Sequence, residues 1–416
     1  MNYNHFLEEA LEAWKTSGNY RYFAHIERLY GRFPVALYHT PDARLPPQEV
    51  IVWCSNDYLG MGQNPDVLDA VQKNFAKGGT GAGGTRNISG TTPSHQRLET
   101  GLSELHQKDA SLICTSGYVA NEAALGTLGA KLPNCVIFSD ECNHASMIQG
   151  IRLSRAEKHI FKHNCPKDLR RLLADAHAQD PHRPKIITFE SVYSMDGDIA
   201  PIEEFCDLAK EYNALTFIDE VHAIGLYGKH GGGITEELGL QDRVDLISGT
   251  FGKAFGLVGG YLSGSFLLID FIRSFASSFI FTTALPPAIM AGAYASLHYL
   301  KNHPELRESH QRNVKTVKEG LENLGVPLLL NQSHIVPVIV GDAHLCRTAA
   351  TYLLKHHNIY VQPINYPTVP IGTERFRITP SPLHTPQMIT DLLESINDTW
   401  NTFSLKRFPQ ARKAYA

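Results

Sequence analysis

Lys253 lies in SGTFGKAFGLVGG, residues 248–260, directly after an apolar run at 244–248 that reads as a strand. A lysine at the carboxyl edge of a strand can form an imine with a carbonyl and then move a proton. The flanking glycines let a planar ligand come close to the backbone. Taken alone, Lys253 reads equally as a surface lysine in a glycine-rich turn. Asp219 closes the apolar run LTFID, residues 215–219. A carboxylate there is costly unless a cation pairs with it, and a protonated pyridine nitrogen is such a cation. His222, three residues on, can face the same site. Asp219 and His222 also admit a metal-ligand reading, but no third ligand stands at suitable spacing and no metal is expected.

Three further segments carry chemistry. Ser116, Gly117 and Tyr118 open a helix after the strand-like run at 111–114. Helix amino-ends bind phosphate through free N–H groups, although a serine there is also an ordinary cap. His144, in SDECNHASMIQG at 139–150, again follows a strand. It can stack on an aromatic cofactor or serve as an ordinary polar group. Arg377 alternates with Phe376 and Ile378 in a strand, where it can clamp a small carboxylate bidentately or pair on the surface. Two patterns are decoys. GTGAGG at 79–84 fits a dinucleotide fingerprint, but the segment before it, 65–75, reads as helix rather than strand. His159 and His163 are four apart, as ligands on a helix can be, yet lack a glutamate partner and read as ordinary polar residues.

Positioning such groups requires a layered fold. Apolar runs at 111–114, 135–139, 186–190, 215–219 and 244–248 alternate with helical patterns such as 202–212. That alternation predicts a largely parallel sheet covered on both faces, with ligand groups at the carboxyl ends of its strands. Before it stands a helical arm to about residue 30, then a proline-rich connector and a short strand at 50–54. After it come a helix at 303–325, strands near 335–340, 359–362 and 376–379, and helices at 345–356 and 386–403. The expected divisions are an arm and connector over 1–50, a large domain over 51–295 and a smaller α+β domain over 296–416. The residues from Lys406 on read as a tail.

Bulk properties exclude several classes. The chain has 416 residues and a formal net charge of -4, with no field that draws the whole molecule to nucleic acid or an anionic membrane. Seven cysteines without a CxxC pattern read as free thiols of a reducing compartment. The amino terminus, MNYNHFLEEALEAWK, has no basic region followed by an apolar run. Phe6, Leu7, Ala10, Leu11 and Trp14 share one helical face, so it reads as a docking helix, and a cytoplasmic, bacterial-type location is expected.

Together these segments resemble the α-oxoamine synthase branch of fold-type I enzymes dependent on pyridoxal 5'-phosphate (PLP). The resemblance runs from about residue 2 to 400. It rests on CSNDYLGMG (54–62), GTGAGGTRNISGTTPSHQRLE (79–99), SDECNHASMI (139–148), FESVYSMDGD (189–198), FIDEVHAIGLYG (217–228), SGTFGK (248–253) and FRITPSPLH (376–384). It implies a large domain with a mostly parallel seven-stranded sheet, a smaller α+β domain, and a homodimer with active sites at the subunit interface. It makes Lys253 the Schiff-base lysine and proton carrier, sets Asp219 at the pyridine nitrogen and stacks His144 on the ring. His222 is implied at the phenolic oxygen and the reacting carbonyl. Ser116, Gly117, Tyr118 and Thr250 fall near the phosphate, with Thr282 and Thr283 from the partner subunit, and Ser194 lines the cofactor pocket. Asn56 and Arg377 are implied to hold the carboxylate of glycine. Arg21, Thr85, Asn87, Ile88 and Thr368 are implied around the succinyl end of succinyl-CoA, because a distal carboxylate needs an arginine and hydroxyl or amide donors.

Overall fold

Short apolar strands separated by amphipathic helices bury both faces best as a covered parallel sheet. In the computed structural model, which describes residues 2–42 and 44–408, the larger part of the chain builds one. Seven strands lie in the order Ala110–Cys114, Gly260–Gly264, Leu246–Thr250, Leu215–Asp219, Lys185–Glu190, Val136–Asp140 and Glu157–Phe161. Gly260–Gly264 runs antiparallel to both neighbours, and the other pairings are parallel. Phe138, Phe189 and Phe217 are buried in the middle strands, and burying each contributes about 2 kcal/mol. The five strands read from the sequence are all present. Two others escape a reading by apolar runs: Glu157–Phe161 is a largely exposed edge strand, EKHIF, and Gly260–Gly264 is GYLSG.

This sheet belongs to a compact unit made of Met61–Ser194 and Asp198–Arg307. A second unit comprises Met1–Gly60, Met195–Gly197 and Glu308–Ala416. It contains a four-stranded sheet, His25–Arg28, Val35–His39, Gln48–Val52 and Ile359–Tyr360, and a three-stranded antiparallel sheet, Val336–Ile339, Arg375–Ile378 and Pro363–Ile364. The boundaries therefore differ from those expected at 50/51 and 295/296. The physical reason is strand pairing: Gln48–Val52 pairs in parallel with Ile359–Tyr360, so the first residues share a unit with the last.

The amino-terminal helix is shorter than the sequence suggests. It spans Tyr3–Thr16, and His25–Arg28 is a strand paired with Val35–His39. No residue of this helix is buried within the chain, although Trp14 meets Tyr366 at 6.3 Å between ring centroids. Within the tail expected from Lys406, Arg407 donates to Leu324 O and Phe408 N–H to Gly325 O. Its remainder, 409–416, lies outside the described residues. Among the described residues all seven cysteines are free, and no helix is long and apolar enough to cross a membrane.

Candidate active site

Asp219 ends its strand almost fully buried, at 2% exposure. Its Oδ2 accepts from Asn121 Nδ2 at 2.6 Å and its Oδ1 from the Val221 N–H at 2.8 Å. Two donors hold this buried carboxylate in one orientation. Asn121 also donates to Ser146 Oγ at 2.9 Å, and Ser146 Oγ lies 2.7 Å from His144 Nδ1. The Ser146 N–H donates to that same Nδ1 at 3.2 Å, so Nδ1 is an acceptor and the imidazole is neutral. Desolvation lowers the His144 pKa; Asp219 opposes this and Lys253 adds to it. Charge coupling of His144 to Asp219 and Lys253 puts the three groups in one electrostatic neighbourhood.

The turn bearing Lys253 is braced by Thr250, whose hydroxyl donates to Gly259 O at 2.8 Å and accepts from the Gly252 N–H at 3.1 Å. Gly256 N–H closes the same turn on Lys253 O. Lys253 itself is half-buried, and His222 is buried two residues past Glu220. Glu220 fixes that turn: its carboxyl accepts from Ser191 Oγ at 2.6 Å and from the Thr235 and Ile234 N–H groups. Beside Asp219, in register on the next strand, stands Glu190, also buried. Desolvation, first, and the nearby Asp219 raise its pKa well above the usual carboxylate range.

The helix Gly117–Lys131 begins in the same unit. Ser116 caps it by accepting from Val119 N–H at 3.1 Å, and Tyr118 meets His144 edge-on at 6.4 Å. The helix end approaches the sheet because residue 260 is glycine: a Cβ there would lie 2.3 Å from Gly117 N. Gly117 in turn leans on Thr250, with an added Cβ only 3.3 Å from Thr250 Cβ. Thr282 and Thr283 line a small cavity with Thr115, Val119 and Arg86 of their own chain, and Thr283 bridges Thr85 as an isolated β-pair. Thr85 Oγ1 donates to Asn87 Oδ1 at 2.6 Å in a tight turn over Arg86–Gly90, and Ile88 projects 66% exposed. Ser194 is half-buried at the end of this unit's segment.

In the other unit, Arg377 is buried in the strand Arg375–Ile378 and forms a clamp. Its Nη2 donates to Tyr58 Oη at 2.8 Å and its Nη1 to Asn56 Oδ1 at 3.1 Å. Asn56 is exposed and Tyr58 buried. Arg21 is exposed and donates to Thr368 Oγ1 at 2.8 Å. Both line a cavity of about 730 Å³ whose lining, among the described residues, includes Arg347 and Lys355 and no carboxylate side chain.

PLP fits the first cluster. A buried carboxyl, an imidazole, an amine and an approachable helix end are what its ring nitrogen, ring face, carbonyl and phosphate require. Lys253, Asp219, His144, His222, Ser116, Gly117, Tyr118, Thr250 and Ser194 share one compact unit; Asn56, Arg377, Arg21 and Thr368 share the other. Sequence reasoning misses Asn121, Tyr58, Glu190 and Glu220. Glu190 carries the signal that revealed Asp219, an acid closing an apolar strand, and Asn121 stands out as an amide inside an Ala- and Leu-rich helix.

The family described as Aminotransferase class I and II matches residues 48–396. The chain is similar to the 5-aminolevulinate synthase of Rhizobium meliloti, 55% identical over 98% of this chain and 99% of that protein. It is 54% identical to 5-aminolevulinate synthase 2 of Cereibacter sphaeroides, over 95% of this chain and 96% of the relative. Among solved structures it resembles serine palmitoyltransferase from S. paucimobilis with bound PLP and myriocin, with a TM-score of 0.87 and 29% identity over 96% of this chain and 97% of that one.

Proposed function

The chain belongs to the 5-aminolevulinate synthase family, within the class I and II aminotransferases, and from that premise we propose how its own residues divide the work. It joins glycine to succinyl-CoA in a PLP-dependent reaction that gives 5-aminolevulinate, CoA and CO2. Bound PLP supplies an electron sink that makes a proton on glycine Cα acidic.

Lys253 carries PLP and is the base that takes a proton from glycine Cα and later returns one. Asp219, fixed by Asn121 and Val221, pairs with the ring nitrogen and keeps it protonated. Neutral His144 packs on the ring face, with Nδ1 already engaged by Ser146. His222 serves the phenolic oxygen and the reacting carbonyl. Ser116, Gly117, Tyr118 and Thr250 bind at the phosphate, and Ser194 lines the pocket. Thr282 and Thr283 act on the phosphate of the partner subunit in a homodimer. Asn56 and Arg377 hold the glycine carboxylate through an arrangement already formed by side-chain hydrogen bonds. Arg21, Thr368, Thr85, Asn87 and Ile88 surround the succinyl end.

One observation carries the choice of acyl group: Arg21 presents an exposed guanidinium, bonded to the Thr368 hydroxyl at 2.8 Å. A distal carboxylate is the group that such a donor pair recognises, and an acetyl or long alkyl chain offers none. The test is a panel of acyl-CoA thioesters with glycine, read by product mass and CoA release. Succinyl-CoA should exceed acetyl-CoA at least about tenfold in kcat/KM, in line with one lost charge-assisted contact. Preference for acetyl-CoA would overturn the reading.

A further inference from the structure

One partly buried imidazole outside the residues assigned above joins two segments that border the cofactor cluster. His163 follows the edge strand Glu157–Phe161, so it and His159 are not a helical pair. Its Nδ1 lies 2.9 Å from Asp140 Oδ1 and its Nε2 lies 2.6 Å from Asp198 Oδ2. An ionised carboxylate only accepts, so both ring nitrogens donate and the ring is a cation. Burial disfavours that charge, but the bonds to Asp140 and Asp198, helped by Cys142, outweigh it and push the pKa up to about 12. Tyr193 packs edge-on against the ring at 4.4 Å. Asn164 repeats the link, donating its N–H to Asp140 Oδ2 at 2.9 Å and its Nδ2 to Asp198 Oδ2 at 2.7 Å.

The joined segments are short and carry cofactor-side residues. Asp140 ends the strand Val136–Asp140, and His144 stands four residues later. Between them, Cys142 N–H donates to Asp140 Oδ1 at 2.8 Å, and Asn143 donates to Thr188 O at 2.9 Å. Asp198 accepts on its backbone carbonyl from the Tyr193 N–H at 3.0 Å, one residue before Ser194, and Val192 pairs with Ile199. A shift of either carboxylate therefore moves a loop that ends at His144 or at Ser194.

We propose that His163, bonded through both ring nitrogens, is a positioning residue that locks the segment bearing His144 to the segment bearing Ser194. The inference rests on the assignment of His144 and Ser194 to the cofactor. Asp140, Cys142 and His163 also offer donor atoms within 4.8 Å of one another, a spacing that a divalent cation can use. A cation there would have to displace the ring proton already shared with Asp140, so the geometry favours the tie.

The test uses the holoenzyme and three variants: His163→Gln, Asp198→Asn and the double substitution. The readouts are the PLP dissociation constant, the visible circular dichroism of bound PLP, kcat and melting temperature. Each single variant should weaken PLP binding about tenfold and reduce the dichroic band, as loss of a charge-assisted bond implies. The double variant should cost little more than either single one, because the same link is broken once. Unchanged PLP affinity and dichroism with only a lower melting temperature would reduce His163 to a structural tie and overturn the proposal. Additive losses would also overturn it, as would stoichiometric zinc binding by the wild type that His163→Gln abolishes. Asp198→Asn preserves shape and carries the test if His163→Gln does not fold. A wild type that binds PLP but forms no 5-aminolevulinate would sink the proposed reaction and leave this inference standing.

Discussion

Asn121 Nδ2 lies 2.6 Å from Asp219 Oδ2 and 2.9 Å from Ser146 Oγ, so a single amide ties the buried carboxylate to the hydroxyl that holds His144. The carboxyl proposed to pair with the ring nitrogen and the imidazole proposed to stack on the ring are therefore set by one side chain. Replacing Asn121 by Ala removes a charge-assisted bond from Asp219 and leaves Ser146 free to turn. PLP binding should weaken about tenfold or more. Asn121→Asp should be worse, because it sets a second carboxyl directly against the buried Asp219. Absorbance titration of the apoenzyme with PLP measures both. Wild-type affinity in Asn121→Ala would show that Val221 N–H alone suffices.

The contrast between Asp219 and Asn121 shows what the sequence can reveal. Asp219, Lys253 and His144 lie just past apolar runs, where a polar side chain has a cost that invites an explanation. Asn121 stands out only as an amide among Ala120, Ala123, Ala124 and Leu125, and its partners, Asp219 and Ser146, appear only when the helix packs on the sheet. Tyr58 reads as one more aromatic of NDYLG, and only the fold brings it to Arg377, 319 residues away. The strand His25–Arg28 is hidden for a similar reason: HIER has no apolar pattern, and its pairing with Val35–His39 makes it a strand. His163 reads as an ordinary polar residue for want of a glutamate partner, and only the fold brings it between Asp140 and Asp198.

The clamp at Arg377 yields a prediction on glycine. Tyr58 Oη accepts from Nη2, and burial, first, raises the Tyr58 pKa while Arg377 opposes the shift. Arg377→Lys cannot make both bonds of the planar fork, so the glycine KM should rise by roughly 10- to 100-fold. Tyr58→Phe removes one acceptor and should raise it several-fold, with the succinyl-CoA KM changed less. Steady-state kinetics in both substrates separates these effects. Equal increases in the two KM values for Arg377→Lys would contradict a glycine-specific role.

Stability should fall in mild acid. Burial, the largest cause in each case, lowers the pKa of His95 and His310 to about 4 and of His106 and His384 to about 3. These rings are neutral in the folded chain, whereas the unfolded chain protonates them below about 6.5. Their contribution is therefore present above pH 6.5 and is lost as pH falls toward 4 and 3, by up to about tenfold in the folding equilibrium per pH unit and per ring. His163 has the opposite sign: its raised pKa gives stability that is full below 6.5 and is lost as pH rises toward 12. Urea midpoints at pH 7.5, about 6 and about 5 should decline in that order. A His106→Asn variant should show a shallower decline from a lower start, since His106 Nε2 also meets Tyr261 Oη at 2.9 Å. A flat wild-type profile would rule out neutral buried rings.

The turn at Thr85–Gly90 offers a test of the succinyl end that leaves every side chain of that end in place. A Cβ on Gly84 would sit 2.1 Å from Ile88 O, and one on Gly90 would sit 2.5 Å from Gly84 O. The turn is closed so tightly that only glycine fits at both ends, and the closure orients Asn87 against Thr85 and leaves Ile88 exposed. Gly84→Ala must open the turn by roughly an ångström, because real Cβ contacts lie beyond about 3 Å. The expected result is a rise of about tenfold in the succinyl-CoA KM, the effect of losing one well-placed polar contact. The glycine KM and the PLP dissociation constant should stay within a factor of about two, since Asn56, Arg377 and Asp219 keep their own partners. Comparison with Asn87→Ala decides the cause. If both variants raise the succinyl-CoA KM alike, the turn acts through Asn87; if Gly84→Ala instead weakens PLP binding, the segment belongs to the cofactor side and its assignment to the acyl group is wrong.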